Sequence, residues 1–186
     1  MRRRDLLKTL VIFGTGCVVS PPLVWGNNLA DFSDDILNSQ QILLLAEISE
    51  TIIPANKKIP GAKAAGVAPF IAGHLQDCYT LKERRDIIKC ISTINEVAIQ
   101  RFKKDFVRLN KNQRLELLKA FDREASSNKD LKNVAYTNYA KLKNLIVFSF
   151  FTSEAGMTTC LRYVPIPGYY KGEIAYKRGE KAWAFN

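Results

Sequence analysis

Apolar residues recur every three or four positions through most of this chain and nowhere alternate in twos over a sustained run, which restricts it to helices. The longest stretch opens at Thr80-Leu81-Lys82-Glu83, a capping box: the threonine hydroxyl accepts from an orphan amide and the glutamate reaches back. Ile87, Ile88, Ile91, Ile94, Asn95, Ala98, Phe102 and Phe106 then share one face. Ahead of it, Ser39 is expected to cap a helix with Ile42, Leu45, Ala46, Ile52 and Ile53 inward, stopped by Pro54. Residues 55–66 read as a loop punctuated by Pro60, Gly61 and Gly66. Val67, Phe70, Ile71, His74, Leu75 and Cys78 form the stripe of the next helix. Asn110 with Gln113 looks like a second capping box, opening a helix that turns Leu115, Leu118 and Phe121 inward. After a polar break at residues 126–130, one more helix carries Tyr136, Tyr139, Leu142, Leu145, Ile146, Ser149 and Phe150. Thr152-Ser153-Glu154 then caps a short last one. Helices joined by short loops predict an all-α fold, a single helical bundle over residues 27–161.

From Arg162 the pattern changes. Tyr163, Pro165, Pro167, Gly168, Tyr169, Tyr170 and Gly172 crowd one segment, and Trp183 and Phe185 extend the aromatic load. Proline removes amide donors and favours extended backbone, so residues 162–186 are expected to form a C-terminal extended strap rather than a helix. Tyrosine and tryptophan offer large contact area at little entropic cost. Tyr163, Pro165, Pro167, Gly168, Tyr169, Tyr170 and Trp183 are therefore the candidate partner interface, with packing on the strap's own bundle as the alternative.

Residues 1–26 read as an address. Arg2-Arg3-Arg4-Asp5-Leu6-Leu7-Lys8 precedes an uncharged run from Thr9 to Gly26. A basic start followed by a short apolar core is an export signal. The pair Arg3 and Arg4, an acidic spacer, two leucines and a lysine resemble the twin-arginine signal, which a receptor reads. That route carries folded cargo. Cleavage near Gly26 is expected; an uncleaved anchor of roughly 27 Å and lipidation at Cys17 stay open.

Charge and chemistry-bearing residues narrow the function. Residues 27–186 keep 24 basic against 17 acidic side chains, a net charge of +7. The basic residues are scattered over predicted helices and lack the interleaved aromatics that nucleic acid needs; an acidic partner or anionic lipid suits them better. Cys78, Cys90 and Cys160 are an odd set, expected as small buried hydrophobes. His74 is the one histidine, so neither a metal cluster nor a serine or cysteine nucleophile with its base is in evidence. Gly14-Thr15-Gly16 lacks the third glycine and the βαβ unit of a dinucleotide site. The chain is expected to be no enzyme by itself and to hold no cofactor.

Three stretches carry a family resemblance. They are Thr51-Ile52-Ile53-Pro54 leading to Pro60-Gly61-Ala62-Lys63-Ala64-Ala65-Gly66-Val67, then Phe151-Thr152-Ser153-Glu154-Ala155-Gly156, then Tyr163-Val164-Pro165-Ile166-Pro167-Gly168-Tyr169-Tyr170-Lys171-Gly172. With the twin-arginine start, their order and spacing resemble the small subunit (subunit 3, or gamma) of gluconate 2-dehydrogenase-type membrane complexes. The resemblance implies a helical, cofactor-free escort of a large FAD-containing dehydrogenase of the glucose-methanol-choline class, with a cytochrome c subunit carrying haem in some complexes. It implies that the escort lends its signal to a partner without one, in the periplasm or on the outer face of the cytoplasmic membrane. It brings no catalytic residues, and the odd cysteine leaves an inter-subunit disulfide open. The alternative is a free-standing exported or membrane-anchored helical protein with no dehydrogenase partner.

Overall fold

The computed structural model describes residues 37–127 and 134–166, with residues 168, 173, 175 and 177–184 of the tail. Arg3, Arg4 and Cys17 lie outside the described residues, as do Pro167, Tyr169, Tyr170, Phe185 and the side chain of Tyr136. The described residues form six α-helices, α1 (Ser39–Ile52), α2 (Val67–Cys78), α3 (Leu81–Phe102), α4 (Lys111–Ser127), α5 (Val134–Thr152) and α6 (Glu154–Cys160). A 3₁₀ turn, Phe106–Arg108, joins α3 to α4, and no strand occurs among the described residues. The all-α expectation holds.

Local capping chemistry sets most of the boundaries. Thr80 accepts from the Glu83 amide while the Glu83 carboxylate takes the Thr80 amide at 3.0 Å. Asn110 and Gln113 reciprocate in the same way before α4, at 2.9 and 3.2 Å. Ser153 caps α6 through the Gly156 amide. The first cap is Asn38 rather than Ser39: its Oδ1 accepts from the Gln41 amide at 2.8 Å, and Gln41 answers by accepting from the Asn38 amide at 3.0 Å. The reciprocal pair favours Asn38, since the residue three after Ser39 is Ile42, whose side chain cannot close a capping box.

Helix α3 ends sooner than its apolar spacing implies. Lys103 turns left-handed at φ 55° with its amide on the Ile99 carbonyl, so Phe106 belongs to the 3₁₀ turn and not to α3. Phe106 is still fully buried, and its amide donates to Asn95 Oδ1 at 2.9 Å.

Helix α5 is the centre. It packs against α2, α3, α4 and α6, while α1 closes the other side against α2, α3 and α4. Tyr139, Leu142, Leu145, Ile146, Ser149 and Phe150 of α5 are buried, facing Ile87, Ile91, Ile94 and Ala98 of α3 and Leu117, Leu118 and Phe121 of α4 in one core. The predicted stripes differ from this core in three helices. In α1, Leu44, Ile48 and Ser49 are buried with Leu45, while Ile42, Ala46, Ile52 and Ile53 are only partly buried against it. In α2, Val67, Ile71 and Leu75 are buried, but Phe70 and Cys78 are exposed. In α4, Leu115 points outward and Leu117 takes the inward position beside Leu118. A 3.6-residue period fixes a face but not the neighbour that covers it. Cys90 is buried and Cys160 half-buried as expected of small hydrophobes; Cys78 is not.

Charged side chains tie one end of the bundle together, where the α1–α2 loop meets the start of α4. Glu47 on α1 pairs with Lys63 of the α1–α2 loop at 2.5 Å and with Arg114 of α4. Arg114 also donates to the carbonyls of Phe106 at 3.2 Å and Val107 at 2.5 Å. Glu47 and Arg114 are each mostly shielded from solvent, where a paired charge is strong and an orphaned one costly.

Candidate partner interface

Two of the three family-like stretches have structural work to do. The Glu50 carboxylate accepts from the amides of Ala55 and Lys63, each at 3.0 Å, which clips the loop after Pro54 back onto α1. Gly61 lets it: a Cβ there would overlap the Glu50 carboxylate. Ala62 then donates to the Ile53 carbonyl at 3.0 Å. At the α5–α6 corner, Gly156 lies against the Phe150 carbonyl so closely that a Cβ would collide with backbone. These glycines explain the Pro-Gly-Ala and Ser-Glu-Ala-Gly patterns as loop and corner geometry rather than as chemistry.

The third stretch belongs to the strap. Tyr163 and Pro165 are exposed, Ile166 is 83% exposed, and Gly168 takes φ 74°, a left-handed turn that suits glycine. The far end of the tail returns to the body. Arg162 donates to the Ala182 carbonyl at 2.7 Å and accepts from the Ala184 amide at 3.2 Å, an isolated parallel bridge to Trp183. The Arg162 guanidinium lies 4.1 Å from the centre of the Trp183 ring, and Lys181 Nζ donates to the Thr159 carbonyl at 2.6 Å. Trp183 is thus fastened to its own chain on one side and open on the other. Among the candidate interface residues, Tyr163 and Trp183 are brought to one place, beside the Arg162 bridge. Pro165 and Gly168 lie further along the exposed strap, while Pro167, Tyr169 and Tyr170 lie outside the described residues.

A second aromatic surface has no counterpart in the sequence reading. Phe70 of α2 stacks on His74 at 5.5 Å, and His74 in turn meets Phe148 of α5 and Tyr79, each at 5.7 Å. Phe70 is 46% and Phe148 49% exposed. Phe151, one turn further along α5, is also exposed and sits edge-on to Phe150. Gly73 lies between Phe70 and His74 in sequence, mid-helix and exposed, with open space where a Cβ would stand. A glycine there costs about 1 kcal/mol relative to alanine, and no intrachain contact requires it. The one available signal was the apolar surplus of residues 145–151, Leu-Ile-Val-Phe-Ser-Phe-Phe, which is more than one face of a helix can bury.

Titratable groups show no catalytic arrangement among the described residues. No three His, Cys, Asp or Glu side chains converge there as a metal site would require. Burial pushes the Cys90 thiol up to about 12, which keeps it protonated. Tyr139 is raised first by burial, then by the Asp122 carboxylate and, once that thiol ionises at high pH, by Cys90. Glu83 is lowered by the hydrogen bond from the Thr80 hydroxyl, then by the Thr80 amide: an effect of its capping role. No helix among the described residues is long and apolar enough to cross a membrane.

No curated protein and no solved structure matches the chain. The family described as Gluconate 2-dehydrogenase subunit 3 matches residues 39–168, from the first turn of α1 to the left-handed glycine of the strap. That span takes in the first two stretches of the resemblance, at the Glu50 clip and the Gly156 corner, and the third from Tyr163 as far as Gly168. The chain belongs to the gluconate 2-dehydrogenase subunit 3 family.

Proposed function

We infer that the chain is the non-catalytic small subunit of an FAD-dependent sugar or alcohol dehydrogenase complex of the glucose-methanol-choline class. It binds the flavoprotein subunit, lends it the twin-arginine signal of residues 1–26, and remains with it as a stabilising partner in the periplasm or on the outer face of the membrane. Family membership supports an accessory place in a dehydrogenase assembly. The observation that carries the reading is the aromatic surface of Phe70, His74, Phe148 and Phe151. A helical subunit that keeps phenylalanines half-exposed beside a stripped-down Gly73 is built to be covered. The exposed strap residues Tyr163 and Ile166 add to the surface on offer. FAD belongs to the partner in this reading, as does haem c where a cytochrome is present.

The test is export and co-purification from the source cell. Arg3→Lys with Arg4→Lys should hold both this chain and its flavoprotein partner in the cytoplasm, because the receptor reads the arginine pair. Partner export that persists while this chain is trapped would end the escort reading. A tagged wild-type chain that brings down no flavoprotein would favour a free-standing helical protein instead.

A further inference from the structure

We propose that the end of the bundle where the α1–α2 loop meets the turn between α3 and α4 docks on an anionic phospholipid surface. Sequence disperses the basic residues, but the fold gathers them. Lys57 and Lys58 sit in the α1–α2 loop; Lys103, Lys104 and Arg108 follow α3; Lys111 opens α4. All six are exposed. The Glu47 hub brings these segments together, since Lys63 of the loop and Arg114 of α4 share its carboxylate and Arg114 holds the carbonyls of Phe106 and Val107.

The carboxylates at this end are already engaged. Glu47 is taken by Lys63 and Arg114, Glu50 by backbone amides, Glu116 by Arg101, and Asp105 faces Arg108 at 3.8 Å. Lys57, Lys58, Lys103, Lys104 and Lys111 enter no ion pair among the described residues. Two of them are placed against local preference. Lys103 occupies a left-handed position, φ 55°, that glycine or asparagine fills at lower cost. Lys111 opens α4 where the helix dipole disfavours a cation, with no acidic residue in that turn. The fold retains positive charge at this end despite both penalties.

Lysine outnumbers arginine here, and the one large apolar side chain exposed in the turn is Val107. Protein interfaces deplete lysine and enrich aromatics, so this composition fits a diffuse anionic plane better than a second protein chain. Each lysine near such a plane adds about a fivefold gain in affinity. Attachment of this kind is peripheral and leaves the aromatic surface of α2 and α5 to the partner. It does not depend on the partner's identity.

The full-length chain would be sedimented with vesicles of phosphatidylcholine alone and of phosphatidylcholine with phosphatidylglycerol. Binding should require the anionic lipid and weaken steeply as salt rises from about 0.15 M to about 1 M, which shortens the screening length from about 8 Å to about 3 Å. Lys57→Gln, Lys58→Gln, Lys103→Gln and Lys104→Gln combined should lower affinity roughly 600-fold, with an unchanged melting transition. A control variant with Lys82→Gln, Lys89→Gln, Lys119→Gln and Lys141→Gln removes the same charge from exposed sites elsewhere and should lose far less. Residues 1–36, with Arg2, Arg3, Arg4 and Lys8, also contribute on anionic vesicles, but equally in all variants, so the comparison of the two lysine variants cancels them. Equal binding to neutral lipid, or equal loss in both variants, would overturn the proposal. So would an end variant that keeps its lipid binding but no longer co-purifies the flavoprotein.

Discussion

Helices α3 and α5 are the two longest, and they treat their apolar residues differently. Between Lys82 and Ala98 every exposed position of α3 is polar or charged, while Ile87, Ile91, Ile94 and Ala98 are buried. Its apolar stripe is satisfied within the chain, and of its apolar residues only Leu81 and Ile99, towards its ends, stay exposed. Helix α5 buries Leu142, Leu145, Ile146 and Phe150 and still has Phe148 and Phe151 left over on the outer side. Nearer its start Ala140, Lys141 and Asn144 face solvent, so among the described side chains the surplus lies in the last turns of α5, beside His74 of α2 and ahead of α6. The middle of α3 is complete in the monomer; α5 is half a helix for the fold and half for assembly. Apolar residues beyond what the core can take are the fold's own mark of where a partner belongs.

Truncation on the complete helix should produce the largest effect. Ile91 is fully buried between α3 and α5, and Ile91→Ala is expected to lower the unfolding free energy by about 3–4 kcal/mol through lost burial and the cavity left behind. Partner binding should fall only as the folded fraction falls. Denaturant titration alongside quantitative co-purification measures both. Loss of binding from a fully folded Ile91→Ala protein would break the contrast, because it would mean that α3 also reaches the partner.

Phe148 reverses the pattern. It is half-exposed in the monomer, so Phe148→Ala should change stability by about 1 kcal/mol or less. A buried aromatic anchor at an interface costs about 2 kcal/mol or more when truncated, roughly thirtyfold in affinity. Binding should therefore suffer well beyond stability. Unchanged affinity in Phe148→Ala would place the interface elsewhere, with the strap residues Tyr163 and Ile166 the next to test.

That surface was the part the sequence hid. Capping was legible because it is local: Thr80 with Glu83 and Asn110 with Gln113 each close within three residues. The cap of α1 falls at Asn38 and not at Ser39, because Gln41 supplies the answering side chain three residues after Asn38. The inward face of α3 and most of α5 was legible from period alone. Phe70 and Phe148 were not, since they are neighbours only through His74 and the packing of α2 on α5. Phe70, His74 and Cys78 continue the inward stripe in sequence, yet the described fold leaves Phe70 and Cys78 exposed. Glu47 and Arg114 are 67 positions apart, and no local pattern announces the pair. The Gly61 and Gly156 motifs were visible as motifs but became explicable only once the Glu50 carboxylate and the Phe150 carbonyl stood where a Cβ would go.

The smallest expected effect lies where the two helices meet, and it has the opposite sign. Tyr139 of α5 is 1% exposed, its ring packs on Phe121 at 5.4 Å, and its hydroxyl has no hydrogen-bond partner. An orphaned buried hydroxyl is destabilising, whereas the ring itself is well packed. Tyr139→Phe keeps the ring and removes the orphan, so it should raise the unfolding free energy by about 1 kcal/mol at neutral pH. Its pH dependence follows from the raised phenol. The folded protein holds the neutral form, while the unfolded chain ionises near its ordinary value of 10.0, so the phenol's contribution is complete below that pH and is lost as pH rises through it. Cys90 acts in the same sense from its ordinary 9.0 up to about 12. Wild-type stability should decline above about pH 9, by up to about 1.4 kcal/mol per pH unit for each group. Tyr139→Phe should shed the phenol's share, so its advantage widens above pH 10. Urea titrations from neutral to alkaline pH would show it. A Tyr139→Phe protein less stable than wild type would mean that the hydroxyl is satisfied by a buried water, and that the seam between α3 and α5 is wetter than its apolar lining implies.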